Sequence, residues 1–128
     1  MRRAFSIDGV DICIDGRILE LRTEGTRTPE TAAQVQRSFL PLLDSYPIDG
    51  ILVDLRNAHY DIEGVAWQEV LHRLTRLASE KHVAVVGRRE QANTVRSLVD
   101  THAANGGRNR GFQSVNAARH WLAEHLPG

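Results

Sequence analysis

The chain has 128 residues, enough for one hydrophobic core and too few for two ordinary domains. Its 41% hydrophobic and 25% charged residues are globular values, which exclude a disordered chain and predict a single domain over residues 1–128. Sixteen basic and sixteen acidic residues cancel, so no global charge draws the protein to nucleic acid or to an anionic membrane.

The opening "MRRAFSIDG" lacks an apolar run of signal-peptide length, and no stretch approaches the roughly 20 apolar residues that span a bilayer, so a cytoplasmic protein is expected. Cys13 is the only cysteine, which excludes an internal disulfide and suits a reducing compartment. "AFSIDGVDICIDGRILELRTEG" alternates apolar and polar residues around the Asp15-Gly16 turn signal and predicts antiparallel strands joined by a tight turn. Thr28-Pro29-Glu30 then supplies an N-cap, a first-turn proline and an early acid. Ala32, Val35, Phe39 and Leu42 or Leu43 follow at helical spacing. Pro41 should kink or stop that helix near Leu40.

"GILVDLRN" (50 to 57) reads as a strand buried on both faces, and Trp67, Val70, Leu71, Leu74, Leu77 and Ala78 form the stripe of a second helix. "HVAVVG" (82 to 87) is another buried strand. Ala92, Val95, Leu98, Val99 and Ala103 mark a third helix stopped by "NGG" at 105 to 107. "RGFQS" is a short last strand, and Ser114 caps a final helix carrying Val115, Ala118, Leu122 and Leu126. Strands alternating with helices pair in parallel through right-handed crossovers. The expected architecture is α/β, with a mixed, mostly parallel central sheet of about four to five strands, an N-terminal antiparallel hairpin and four flanking helices.

No motif in this chain carries standard chemistry. His120 and His125 are five residues apart, a spacing that turns them to different sides of a helix, and no His-Glu-x-x-His or Cys-x-x-Cys occurs, so no metal is expected. A Gly-x-Ser-x-Gly elbow is absent, and "NGGRNRG" lacks the Lys-Ser/Thr ending of a phosphate loop, so neither a catalytic nucleophile nor a cofactor is expected. Two places remain. Arg88 and Arg89 lie between a strand's C-terminal end and a helix start, where an acidic partner or a phosphate-bearing ligand can dock. The stretch "NAHYDIEG" occupies the same position after the preceding strand: Asp61 is placed to cap the second helix and Glu63 to sit in its first turn.

In order and spacing, "LRTEGTRTPETAAQV", "ILVDLRNAHYDIEGV", "HVAVVG" and "GFQSVNAARHWLAE" resemble a STAS domain, specifically the SpoIIAA-like branch often described together with lipid-binding CRAL-TRIO domains. The resemblance runs from about Ile12 to Leu126 and implies the fold of bacterial anti-sigma-factor antagonists. In those antagonists a switch loop reads Asp-Ser-Ser-Gly and a kinase phosphorylates its second serine. Here Asp61 and Gly64 match the frame, whereas Ile62 and Glu63 replace both serines. No serine or threonine occurs between Ser45 and Thr75, and Tyr60 is the only hydroxyl near, so a serine switch is not expected. Glu63 carries one fixed charge against roughly 1.5 to 2 on a phosphoserine, a partial mimic at most.

Together these readings predict a non-enzymatic regulatory module. It would dock another cytosolic protein through His59, Tyr60, Asp61, Ile62, Glu63, Gly64 and Trp67. The alternative is a CRAL-TRIO-type pocket for a small apolar or lipid-like ligand, with Arg88 and Arg89 holding its acidic head. An uncharacterised enzyme is the third reading. A homodimer through an edge strand in "FSIDGVDICID" or an apolar helix face is a further expectation.

Overall fold

The computed structural model describes residues 2–7 and 9–126, without the side chains of Arg2, Arg3 and Ile7. The chain opens with a meander of antiparallel strands, β1 (Arg2–Ile7), β2 (Val10–Asp15) and β3 (Ile18–Arg27). It continues through α1 (Pro29–Ser45), β4 (Gly50–Tyr60), α2 (Gly64–Leu77) and β5 (His82–Val86). After a single 3-10 turn at Arg89–Gln91 come α3 (Ala92–Ala104), β6 (Arg108–Phe112) and α4 (Val115–His125). The strands lie side by side in chain order, with β3 to β6 parallel.

Among the described residues the sheet therefore has six strands, one more than the sequence suggested. The expected hairpin is a three-stranded meander, because Asp-Gly occurs at 8–9 as well as at 15–16 and Gly9, at φ +78°, supports a second reversal.

Because β3 to β6 are added in one direction, crossovers of a single hand place their helices on one face of the sheet. There Val35 and Phe39 of α1, Val70 and Leu71 of α2 and Leu98 of α3 pack with Val10, Ile12, Leu19, Ile51, Leu55 and Val85 of the strands. The intervening strand residues point the other way, and Leu52, Ala84 and Val86 are covered by Ala118 and Leu122 of α4. α4 begins at the expected cap, where the Ser114 hydroxyl accepts the N–H of Ala117 at 3.3 Å. α3 ends at Asn105, with Gly106 at φ +83°.

Two expectations fail here. α1 runs unbroken to Ser45 through Pro41. Pro41 is exposed, so the carbonyl of Arg37 that loses its intrahelical partner lies on a side of the helix that water reaches. β4 extends to Tyr60, four residues into the segment read as loop. Between Arg22↔Asp54 and Glu24↔Asn57 the register slips by one residue, and beyond this bulge β3 and β4 stay paired to Arg27↔Tyr60.

Candidate functional site

The long β3–β4 pairing shortens the connection before α2 to Asp61–Glu63. Asp61 still belongs to the ladder, since its N–H donates to the carbonyl of Arg27 at 2.9 Å, and it lies two residues before the N-cap, so it is not the helix cap expected of it. Glu63 takes the N-cap position in extended conformation without a side-chain capping bond, and the first turn of α2 contains no acid. Gly64 then turns into the helix at φ +59°, a left-handed conformation that favours glycine. Ile62 is buried at 7% exposure and anchors the connection, which leaves the Asp61 and Glu63 carboxylates exposed. Just beyond, Val65 is 76% exposed, the most exposed large apolar side chain among the described residues.

The other predicted site residues divide between surface and interior. His59 is exposed on the strand before the connection. The Tyr60 ring packs on Trp67 with centroids 5.6 Å apart, and its hydroxyl lies 3.5 Å from that of Thr23. Burial raises the Tyr60 phenol above its ordinary pKa, outweighing the Thr23 hydrogen bond and the Arg27 charge, so it is a neutral packing residue rather than a base. Trp67 is half-buried against the core and does not stand out as a surface anchor.

β4 and β5 are neighbours, and the loop carrying Arg88 touches β4. Arg88 donates from Nε to the carbonyl of Arg56 at 2.6 Å and pairs with Glu90 at 3.3 Å, while Arg89 is exposed. Four extended residues lie between Arg56 and Asp61, a span on the order of 15 Å, so the arginine loop and the acidic connection are not one site.

Under α1 and α2 lies a cavity of about 90 Å³, walled by Leu21, Phe39, Val53, Trp67 and Leu74 among others. Its one cationic wall residue is Arg27; Arg88 and Arg89 do not line it and cannot hold an acidic head there. No group of three His, Cys, Asp or Glu side chains is placed to hold a metal among the described residues.

No protein-family model and no curated protein matches the chain. Solved structures do. An uncharacterised protein of the DUF3478 family with a SpoIIAA-like fold, from Shewanella loihica, superposes with a TM-score of 0.66 at 21% identity, covering 94% of this chain and 98% of the other. An anti-sigma factor antagonist from Mycobacterium paratuberculosis gives 0.57 at 13% identity over 96% and 93%. SpoIIAA in its unphosphorylated form gives 0.56 at 7% identity over 98% and 100%. The fold is SpoIIAA-like.

The resemblance read from the sequence therefore holds at the level of the fold. Within this SpoIIAA-like fold the sequence reading overlooked Gln91. Pairing between β4 and β5 ends at Asp54↔Val86, and past it the Gln91 amide donates to the carbonyls of Leu55 at 2.7 Å and Ala58 at 3.0 Å. One side chain thus stands in for the missing strand partner across the bulge. Nothing in the local sequence distinguishes Gln91 from any polar first-turn residue. A signal did exist for Asp54, a lone carboxylate in an otherwise aliphatic strand with Arg56 two residues on and hence on the same face.

Proposed function

We propose that this protein is a non-enzymatic regulatory module that docks a partner protein through the connection at Asp61–Glu63 and the start of α2, with no serine-phosphorylation switch. The observation that carries this reading is the exposed Val65 beside the exposed carboxylates of Asp61 and Glu63. An apolar contact rimmed by acids suits a partner with an apolar patch bordered by Arg or Lys. The SpoIIAA-like fold and the anti-sigma factor antagonists among the similar structures support a regulatory role. No helix among the described residues is long and apolar enough to cross a membrane, which fits the cytoplasm as the place of work. Self-association through β1 or β6, the two edges of the sheet, is compatible with this reading.

Native mass spectrometry of the tagged protein, isolated gently from its own cytosol, should show added mass of tens of kilodaltons that is not a multiple of the 14.3 kDa chain. With that partner purified, Val65→Asp should weaken binding by about tenfold or more, the loss of an interface anchor. Glu63→Ser should weaken it as well, because the fixed charge is part of the surface. Unaltered affinity in both variants would remove the docking surface from this place.

A second reading rests on the cavity. An engineered apolar cavity of roughly 150 Å³ accommodates benzene, so 90 Å³ admits a ligand of a few heavy atoms and no acyl chain without movement of α2. Trp67 lines it and Trp121 lies with α4, so a Trp121→Phe variant reports on Trp67 alone. Saturable change of that emission with small apolar compounds is the expected result. A flat titration would dismiss the pocket.

A further inference from the structure

On the second face of the sheet α4 packs over β4, β5 and β6, and the β2–β3 half is left without a helix. The step between α4 and those bare strands forms a groove of about 540 Å³, a size typical of small-molecule sites. It runs along the middle of β4, past Leu52, Asp54 and Arg56, to the segment Gln113–Asn116 that follows β6 and opens α4.

Three arginines line the groove, each paired with a carboxylate: Arg22 with Asp11 through one contact of 3.3 Å, and Arg56 and Arg119 through two contacts each. Asp54, only 4% exposed, accepts from Nε and Nη2 of Arg56, both at 2.9 Å. Across the groove Glu20 of β3 accepts from Nε and Nη2 of Arg119 on α4, both at 2.8 Å. Neither pair uses the Nη1 donors, which point away from the bound carboxylate, and the two arginine side chains remain 39% and 48% exposed. The pairs also sense one another. The Arg119 pKa is raised first by its Glu20 hydrogen bond, against a smaller opposing effect of burial, and then by the charge of Glu20 and, more weakly, that of Asp54.

We infer that this groove binds a small molecule carrying one oxyanion, a phosphate or a carboxylate, held by the Nη1 donors of Arg56 and Arg119. The paired carboxylates fix both guanidinium planes before the ligand arrives, so little side-chain freedom remains to be lost on binding. Arg22, Arg56 and Arg119 balance Asp11, Glu20 and Asp54 in the lining, so a polyanion gains nothing overall. A singly charged group on a neutral polar body fits better, with Gln113, Ser114 and Asn116 lining the same groove as neutral polar residues.

The test is a nitrogen-15 NMR titration of the full chain with sodium phosphate and, separately, sodium glycolate, against sodium chloride at matched ionic strength. Saturable shifts at the Arg56 and Arg119 Nε–H signals and at the Ser114–Asn116 amides are expected. Phosphate alone would identify a phosphate-bearing ligand, glycolate alone a carboxylate-bearing one, and both would support the class. Arg119→Gln should weaken the interaction by about tenfold or more, as expected for lost charge-assisted hydrogen bonds. Glu20→Gln should strengthen it, because it removes a negative charge that repels the oxyanion while the amide oxygen still accepts from Arg119 and holds its plane. Shifts no different from those with chloride would overturn the inference, as would unchanged affinity in both variants with folding confirmed. Should Arg119→Gln fail to fold, Arg56→Gln and Glu20→Gln decide by the same criteria.

Discussion

His102 is buried at 2% exposure and satisfied at both ring nitrogens. Nε2 lies 2.7 Å from the carbonyl of Ala78, which can only accept, so Nε2 carries the hydrogen; Nδ1 then accepts from the Asn109 amide at 2.9 Å. The ring lies flat against Gly107, where an added Cβ would overlap it. Gly107→Ala should cost about 1 to 3 kcal/mol, the range for overpacking a tight site, and urea denaturation should show a lowered midpoint. An unchanged midpoint would mean that the ring swings aside freely. The sequence presented Asn-Gly-Gly as a helix stop, and Gly106 fulfils that role. Gly107 is required for space rather than for a left-handed turn, which depends on where a side chain five residues back points. Asp61 was misread for a related reason. Its residue type suits an N-cap, but pairing with β3 carries the strand to Tyr60 and puts the helix start at Gly64, and no local pattern reveals how far two strands stay paired.

At the scale of elements, α4 meets β5 and β6 through an aromatic cluster. His82 lies 5.8 Å from Trp121 and 5.6 Å from His125, and Phe112 lies 5.9 Å from Trp121, measured between ring centroids. Burial lowers the His82 pKa from its ordinary value of 6.5, helped by neighbouring His125 and Arg108 and opposed by the Asp49 charge. The unfolded chain therefore takes up this proton at higher pH than the folded one. The stability due to neutral His82 is fully present above pH 6.5 and is lost as pH falls below it toward the folded value. Thermal unfolding between pH 7.5 and 5 should show the midpoint dropping in acid, with a shallower drop for His82→Gln; parallel curves for the two proteins would exclude His82 as the cause. Helix existence and the Thr28 and Ser114 caps were legible, because amphipathic spacing and capping residues act locally. The continuation of α1 through Pro41 was not, since it depends on that face meeting water.

For the whole molecule, the alternation of strands and helices after Arg27 was enough to predict parallel pairing through right-handed crossovers, whereas the placement of α1 to α3 on one face follows only from the strand order. The β1–β2 reversal has the same Asp-Gly signal at 8–9 as the turn at 15–16, but so few residues precede it that the segment reads as part of one strand. The groove on the second face escaped notice because Glu20 and Arg119 are 99 residues apart, and only the return of α4 across the sheet brings them together. The agreement of strand order with chain order bears on biosynthesis. Each new strand, as it leaves the ribosome, finds the edge left by the one before, so the sheet can lengthen during translation without waiting for a later segment to insert. α4 is the exception. Until it arrives, Leu52, Ala84 and Val86 face water, so the nascent chain displays an apolar strip that α4 later conceals.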